Sequence, residues 1–148
     1  MYKNSDYLAI DPGLTSGWAT FNDQGVVIDL GQFKYEERNN VLKDLIHENL
    51  KEVIVEDYRN HGFTQQKRWS RNETSKLIGV IETYCTIKNV PIVLQPNTVK
   101  AIGYKWAGIK PPSNHSISHQ YDAVAHGTYR LQQTGIRKPG LAIKEEDK

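Results

Sequence analysis

Two short apolar runs, Tyr7-Leu8-Ala9-Ile10 and Val53-Ile54-Val55, each end in an acid, Asp11 and Glu56. A run of that length without polar alternation predicts a strand covered on both faces, the parallel kind found inside α/β sheets. An acid closing such a strand sits where a hydrophobe is expected. In open α/β sheets the carboxyl ends of the parallel strands are where sites form. The pair therefore points to a layered α/β fold and to one edge of it. Asp11 alone would decide little, because an Asp before Pro12-Gly13 also caps turns.

The rest of the chain fits around these strands. Gly17 to Phe21 reads as a second strand, Asn22-Asp23-Gln24-Gly25 as a hairpin turn, and Val26 to Phe33 as a third strand. Glu36 to Leu50 carries Val41, Leu42, Leu45, Ile46 and Leu50 at helical spacing. Tyr58 to Arg68 has no period and reads as a loop, Trp69 to Asn89 as a long helix, and Pro91 to Gln95 as a fifth strand. Pro96 suits the opening of a short helix that includes Lys100. Trp106 to Asn114, with Gly108, Pro111 and Pro112, reads as a loop. Ser116 to Gln133 is a final helix, with Ser116 or Ser118 as its N-cap. The order β-β-β-α-β-α-β-α-α predicts a five-stranded mixed sheet, three antiparallel strands then parallel additions, with helices on both faces. Residues 1–136 are expected to form one domain, and 137–148 a charged, flexible tail.

Composition narrows the class. At 148 residues, 38% hydrophobic and 24% charged, the chain suits one globular domain with a real core. No apolar run approaches the roughly 20 residues of a membrane span, so no membrane role is expected. The polar Met1–Asp6 predicts no signal peptide, and the single Cys85 predicts neither a disulfide nor a thiolate zinc site. A reducing, cytoplasmic setting follows. The net charge of +2 conceals two basic stretches. Arg59, Lys67, Arg68 and Arg71 lie between Tyr58 and Asn72, and Lys100, Lys105 and Lys110 between Gln95 and Tyr121, with no acid in either. Clustered cations of this kind suit phosphates, although solvated loops would also carry them.

Asp122 is a third acid in apolar company, flanked by Tyr121, Ala123, Val124 and Ala125, with His119 one helical turn before it on the same face. Three carboxylates and an imidazole brought together would repel one another unless a cation held them. Oxygen ligands without thiolate favour Mg²⁺ or Mn²⁺, and two such ions can activate water and stabilise the leaving oxygen of a phosphodiester. His126 lies a turn beyond Asp122. A helical histidine is more often structural than a ligand, so His126 is expected to support the site from behind. The Tyr58–Arg71 stretch interleaves Tyr58, Phe63 and Trp69 with its cations, a pattern that suits phosphates together with unpaired bases. Trp69 could equally pack under the next helix.

Tyr7-Leu8-Ala9-Ile10-Asp11-Pro12-Gly13-Leu14 with Ser16-Gly17-Trp18-Ala19 resembles the opening of RuvC-type Holliday junction resolvases, members of the ribonuclease H-like superfamily. Val53-Ile54-Val55-Glu56, Leu77-Ile78-Gly79-Val80-Ile81, Pro96-Asn97-Thr98-Val99-Lys100 and His119-Gln120-Tyr121-Asp122-Ala123-Val124-Ala125 are similar to that family's later motifs, in the same order. The resemblance spans Tyr7 to about Arg130. It implies a ribonuclease H-like fold and a homodimeric endonuclease that cuts four-way DNA junctions symmetrically. Such an enzyme uses Mg²⁺ or Mn²⁺, two ions per site, and leaves 5′-phosphates. Asp11, Glu56, His119 and Asp122 would be the metal-binding catalytic set, Lys100 the phosphate-contacting lysine, and Phe63 the aromatic near the crossover. Arg59, Lys67, Arg68, Trp69, Arg71, Lys105 and Lys110 would bind DNA around them.

The chain departs from the family in one place. A further lysine-bearing helix usually precedes the last one, and Gly103–His115 is short and rich in Gly and Pro, leaving Lys105 or Lys110 as substitutes. So trimmed a member would suit a bacteriophage. Three alternatives compete. One is a ribonuclease H-like nuclease for other branched DNA or RNA–DNA hybrids. Another is a non-catalytic DNA-binding protein, for which clustered acids would be a handicap. The last is an actin-like ATPase or sugar kinase, whose two-domain cleft a chain of this length cannot build.

Overall fold

The computed structural model describes residues 4–57 and 65–141, with backbone only for 65–71. Five strands form one sheet: β1 (Tyr7–Asp11), β2 (Thr15–Phe21), β3 (Val27–Lys34), β4 (Glu52–Glu56) and β5 (Ile92–Gln95). Their order is β3-β2-β1-β4-β5. β1 to β3 pair antiparallel, and β4 and β5 add parallel to β1. The expected mixed sheet is therefore observed, with all five residues of β1 buried at its centre.

Strand alternation decides which side chains meet which helices. Leu8, Ile10, Val53 and Val55 face one core, where α1 (Arg38–Leu45) and α2 (Gln65–Lys88) contribute Leu42, Leu45, Leu77, Ile78 and Ile81. Tyr7, Ala9 and Ile54 face the other, with Ala107 of α3 (Lys100–Ala107) and Ala123, Val124 and Leu131 of α4 (His115–Gln133). By the same parity Asp11 and Glu56 point to the α4 side. The parallel register pairs Ile10 with Val55, so the two acids end adjacent strands.

Several boundaries differ from the sequence reading. The helix expected over Glu36–Leu50 is α1 alone, preceded by a 3-10 turn at Tyr35–Glu37. Ile46 and Leu50 are buried from the loop that follows, where hydrophobic spacing imitated another helical turn. α2 begins at Gln65, so Lys67 and Arg68 stand on a helix and not in a loop. Pro96 precedes a 3-10 turn (Asn97–Val99), and α3 starts at Lys100. α3 continues through Trp106 because Tyr104 and Ala107 bury against the fold, so Gly103 to Ala107 is helix despite its composition. Asn114, not Ser116 or Ser118, caps α4, its side chain accepting from the Ser116 N–H at 2.9 Å. Arg137, assigned to the tail, is buried; its guanidinium donates to the Gln132 side chain and the Leu141 carbonyl. Among the described residues no helix is long and apolar enough to cross a membrane.

Candidate active site

Three elements deliver the candidate residues to one place. Asp11 and Glu56 close β1 and β4, and both are essentially inaccessible to solvent. α4 crosses above them, with His119 and Asp122 one turn apart on its lower face and His126 a further turn along. Lys100 opens α3 beside the same acids. Asp11, His119 and Asp122 each offer a ligand atom, all within 4.8 Å of one another. Three of the four expected ligands are thus brought together, and Glu56 lies beside this trio, linked to Asp122 through Lys100.

The contacts show how the charges are managed. His119 Nδ1 lies 3.4 Å from Asp11 Oδ2. The Lys100 ammonium sits between two acids, 3.6 Å from Glu56 Oε1 and 3.5 Å from Asp122 Oδ2. Asp122 also accepts the Tyr104 hydroxyl at 2.5 Å. Glu56 Oε1 lies 2.6 Å from His126 Nε2, and the Gln95 amide nitrogen lies 3.1 Å from His126 Nδ1. His126 therefore stands behind the site, as expected.

Burial raises the Asp11 carboxyl to about 6; the negative charges of Glu56 and Asp122 add to this, and the His119 hydrogen bond and Lys100 only partly offset it. His119 is raised chiefly by its hydrogen bond to Asp11. For Lys100 burial acts downward, but Glu56, Asp122 and Asp11 together hold it above its ordinary value. The Tyr104 hydroxyl is raised by burial and by donating to Asp122. Two carboxylates and an imidazole within a few ångströms, with no thiolate, fit a hard divalent cation.

Close backbone approach holds α4 in place. A Cβ on Gly17 of β2 would stand 1.8 Å from the His119 carbonyl oxygen, and one on Gly103 of α3 would stand 2.0 Å from that of Ala125. Gln32 on β3 grips the same turn, donating to the Ser116 carbonyl at 2.7 Å and accepting from the Gln120 N–H at 3.3 Å. These residues, with Tyr104 and Gln95, escaped the sequence reading. Signals for two of them were present. Gln95 ends the apolar run Ile92-Val93-Leu94 just as Asp11 and Glu56 end theirs, and a glycine inside a strand marks close approach.

Lys105 and Lys110 are exposed on the last turn of α3 and in the loop after it. Among the described residues Lys100 is the lysine paired with the cluster. Arg59 and Phe63 lie outside the described residues, as do the side chains of Lys67, Arg68, Trp69 and Arg71.

No family model and no curated protein matches the sequence. Solved structures do match the fold. RuvC of T. thermophilus in complex with a Holliday junction substrate aligns over 90% of this chain and 98% of its own, at a TM-score of 0.63 and 17% identity. A second Thermus thermophilus RuvC structure aligns over the same shares at a TM-score of 0.58, also with 17% identity. The fold is RuvC-like. In that ribonuclease H-like frame, the acids at the ends of β1 and β4 and on α4 occupy the carboxyl edge of the central strands. The fold class expected from the sequence is confirmed.

Proposed function

We propose that this chain is a divalent-metal-dependent endonuclease that resolves four-way DNA junctions as a homodimer. The observation that carries the reading is the convergence of Asp11, His119 and Asp122, with Glu56 beside them, from separate elements of a RuvC-like fold. The T. thermophilus RuvC structure that aligns at a TM-score of 0.63 holds a Holliday junction substrate, which supports the choice of DNA.

Asp11, Glu56, His119 and Asp122 would hold Mg²⁺ or Mn²⁺, two ions per site. Bound there, the ions would supply charge stabilisation and an activated water for phosphodiester hydrolysis. The protein's own contribution is placement. β1 and β4 set the two buried carboxylates side by side, while α4 closes over them. Lys100, with its side chain 25% exposed, meets both Glu56 and Asp122 and would donate to a non-bridging phosphate oxygen. Hydrolysis there would join the water oxygen to phosphorus and break the bond to O3′, with a proton from the water passing to O3′, so that a 5′-phosphate and a 3′-hydroxyl would result. Arg59, Phe63, Lys67, Arg68, Trp69, Arg71, Lys105 and Lys110 would hold the arms and crossover of the junction. A cytoplasmic setting is part of this proposal; the Cys85 thiol, pushed up to about 12 chiefly by burial, would be unreactive in either redox environment.

The experiment presents synthetic four-way junctions, flaps and RNA–DNA hybrids in parallel, with Mg²⁺. Preferred, symmetrical cutting of the junction with 5′-phosphate ends supports the proposal. Preference for flaps or hybrids refutes the junction assignment and leaves a nuclease of another substrate class.

A further inference from the structure

Behind Glu56 lies a buried polar chain that the cleavage chemistry does not itself use. His126 on α4 is fully buried, and Gln95, which pairs with Glu56 in the β4–β5 register, is nearly so. The Gln95 amide nitrogen lies 3.1 Å from the His126 carbonyl oxygen and 3.1 Å from His126 Nδ1. A carbonyl oxygen can only accept, so it is the nitrogen end of the amide that faces His126. One N–H goes to that carbonyl, and the other points at Nδ1, which must therefore present its lone pair. The remaining ring proton belongs to Nε2, 2.6 Å from Glu56 Oε1.

We infer that Gln95 and His126 are positioning residues: Gln95 selects the His126 tautomer whose Nε2–H donates to Glu56 and fixes its carboxylate. The inference rests on Glu56 serving the cleavage site proposed above. Without Gln95, Nδ1 could carry the proton, and the Nε2 lone pair would then face the carboxylate and repel it. The arrangement resembles the outer partners that orient ligands in metal sites, but its polarity runs from the histidine to the acid. Lys100 meets the same oxygen, Oε1, at 3.6 Å, so the carboxylate is held by α3 and α4 together.

Two readouts test this on the full chain. Nitrogen NMR of ¹⁵N-labelled protein in EDTA at about pH 7.5 should show His126 protonated at Nε2 and bare at Nδ1; Gln95→Glu, which sets a carboxylate against Nδ1 while Glu56 still accepts from Nε2, should place a proton on Nδ1 as well. A wild-type histidine protonated at Nδ1 overturns the inference. Mn²⁺ titration calorimetry is the second readout. His126→Leu should weaken binding about 10- to 100-fold, whereas His126→Gln, whose amide N–H can stand in for Nε2–H, should recover most of it. Should His126→Leu fail to fold, Gln95→Met provides the same comparison, with about a tenfold loss. Unchanged affinity in folded His126→Leu or Gln95→Met overturns the inference. If the wild type takes up no Mn²⁺, the cleavage reading fails instead, while the nitrogen spectra still decide the polarity of the chain.

Discussion

On one face of the sheet, Leu42, Leu45, Leu77, Ile78 and Ile81 cover Leu8, Ile10, Val53 and Val55 with large aliphatic side chains. On the other, α4 lies over Ala9 and Ala19 through Ala123 and Val124, and Gly17 and Gly103 admit its backbone more closely than a Cβ would allow. The first face gains from buried apolar area, a term that depends little on small shifts of a helix. The second trades area for position, and every candidate ligand lies on it. Stability and chemistry are thus assigned to opposite faces, and substitutions on each should read out differently.

The largest expected effect is at Asp11. Asp11→Asn should abolish Mg²⁺-dependent cleavage, by at least about 10³-fold, yet stabilise the protein in EDTA. The folded-state carboxyl is raised from 3.8 to about 6 by burial. The folded state therefore binds a proton more tightly than the unfolded one, and ionising Asp11 penalises folding as pH rises through that window. The penalty is absent below about pH 4 and complete above about pH 6, on the order of 2–3 kcal/mol. Urea melts in EDTA should show the variant's advantage opening over that range. His119, raised by Asp11, contributes stability at low pH that is lost as pH rises through its folded value, so wild type and variant are compared across the whole pH range.

Gly17→Ala should come next. The added Cβ meets the His119 carbonyl at 1.8 Å, and displacing α4 by even about 1 Å should cost about 10²-fold in cleavage rate. Single-turnover kinetics would show it, together with a loss of stability from overpacking, about 1–3 kcal/mol. Leu45→Ala reverses the pattern. It should cost about 2–5 kcal/mol in a urea melt while leaving Mn²⁺ affinity unchanged in the folded protein. A large change in affinity there would dissolve the distinction between the faces. Tyr104→Phe is the mildest: losing the hydroxyl that Asp122 accepts should weaken Mn²⁺ binding only several-fold, about 1 kcal/mol by calorimetry.

Much of this was legible in the sequence for physical reasons. Uninterrupted apolar runs identify central strands because burial on both faces leaves no room for alternation, and an acid at the end of such a run stands out. Asp11 and Glu56 were visible for that reason, and Asp122 and His119 because helical spacing puts them on one side. The resemblance to RuvC-type resolvases added Lys100. What stayed hidden depends on tertiary approach. A glycine inside a strand marks Gly17 as a point of close approach, but nothing local to it names the partner as a helix about 100 residues later. Tyr104 reads as one more apolar position until α3 is laid beside α4. The extent of α3 was misjudged because Gly and Pro in Gly103–Pro112 signal a loop, whereas packing of Tyr104 and Ala107 extends the helix past Gly103.

The acids at the ends of β1 and β4, with His119 and Asp122 on α4, stand or fall together as the proposed metal-dependent cleavage site. The most direct test is the cleavage rate of a four-way junction against Mg²⁺ concentration, for wild type and Asp11→Asn side by side, with junction binding followed in EDTA. Expected are saturable Mg²⁺-dependent cutting by the wild type, none by the variant, and equal junction binding by both. Metal-independent cutting, or cutting that survives in Asp11→Asn, would contradict the assignment.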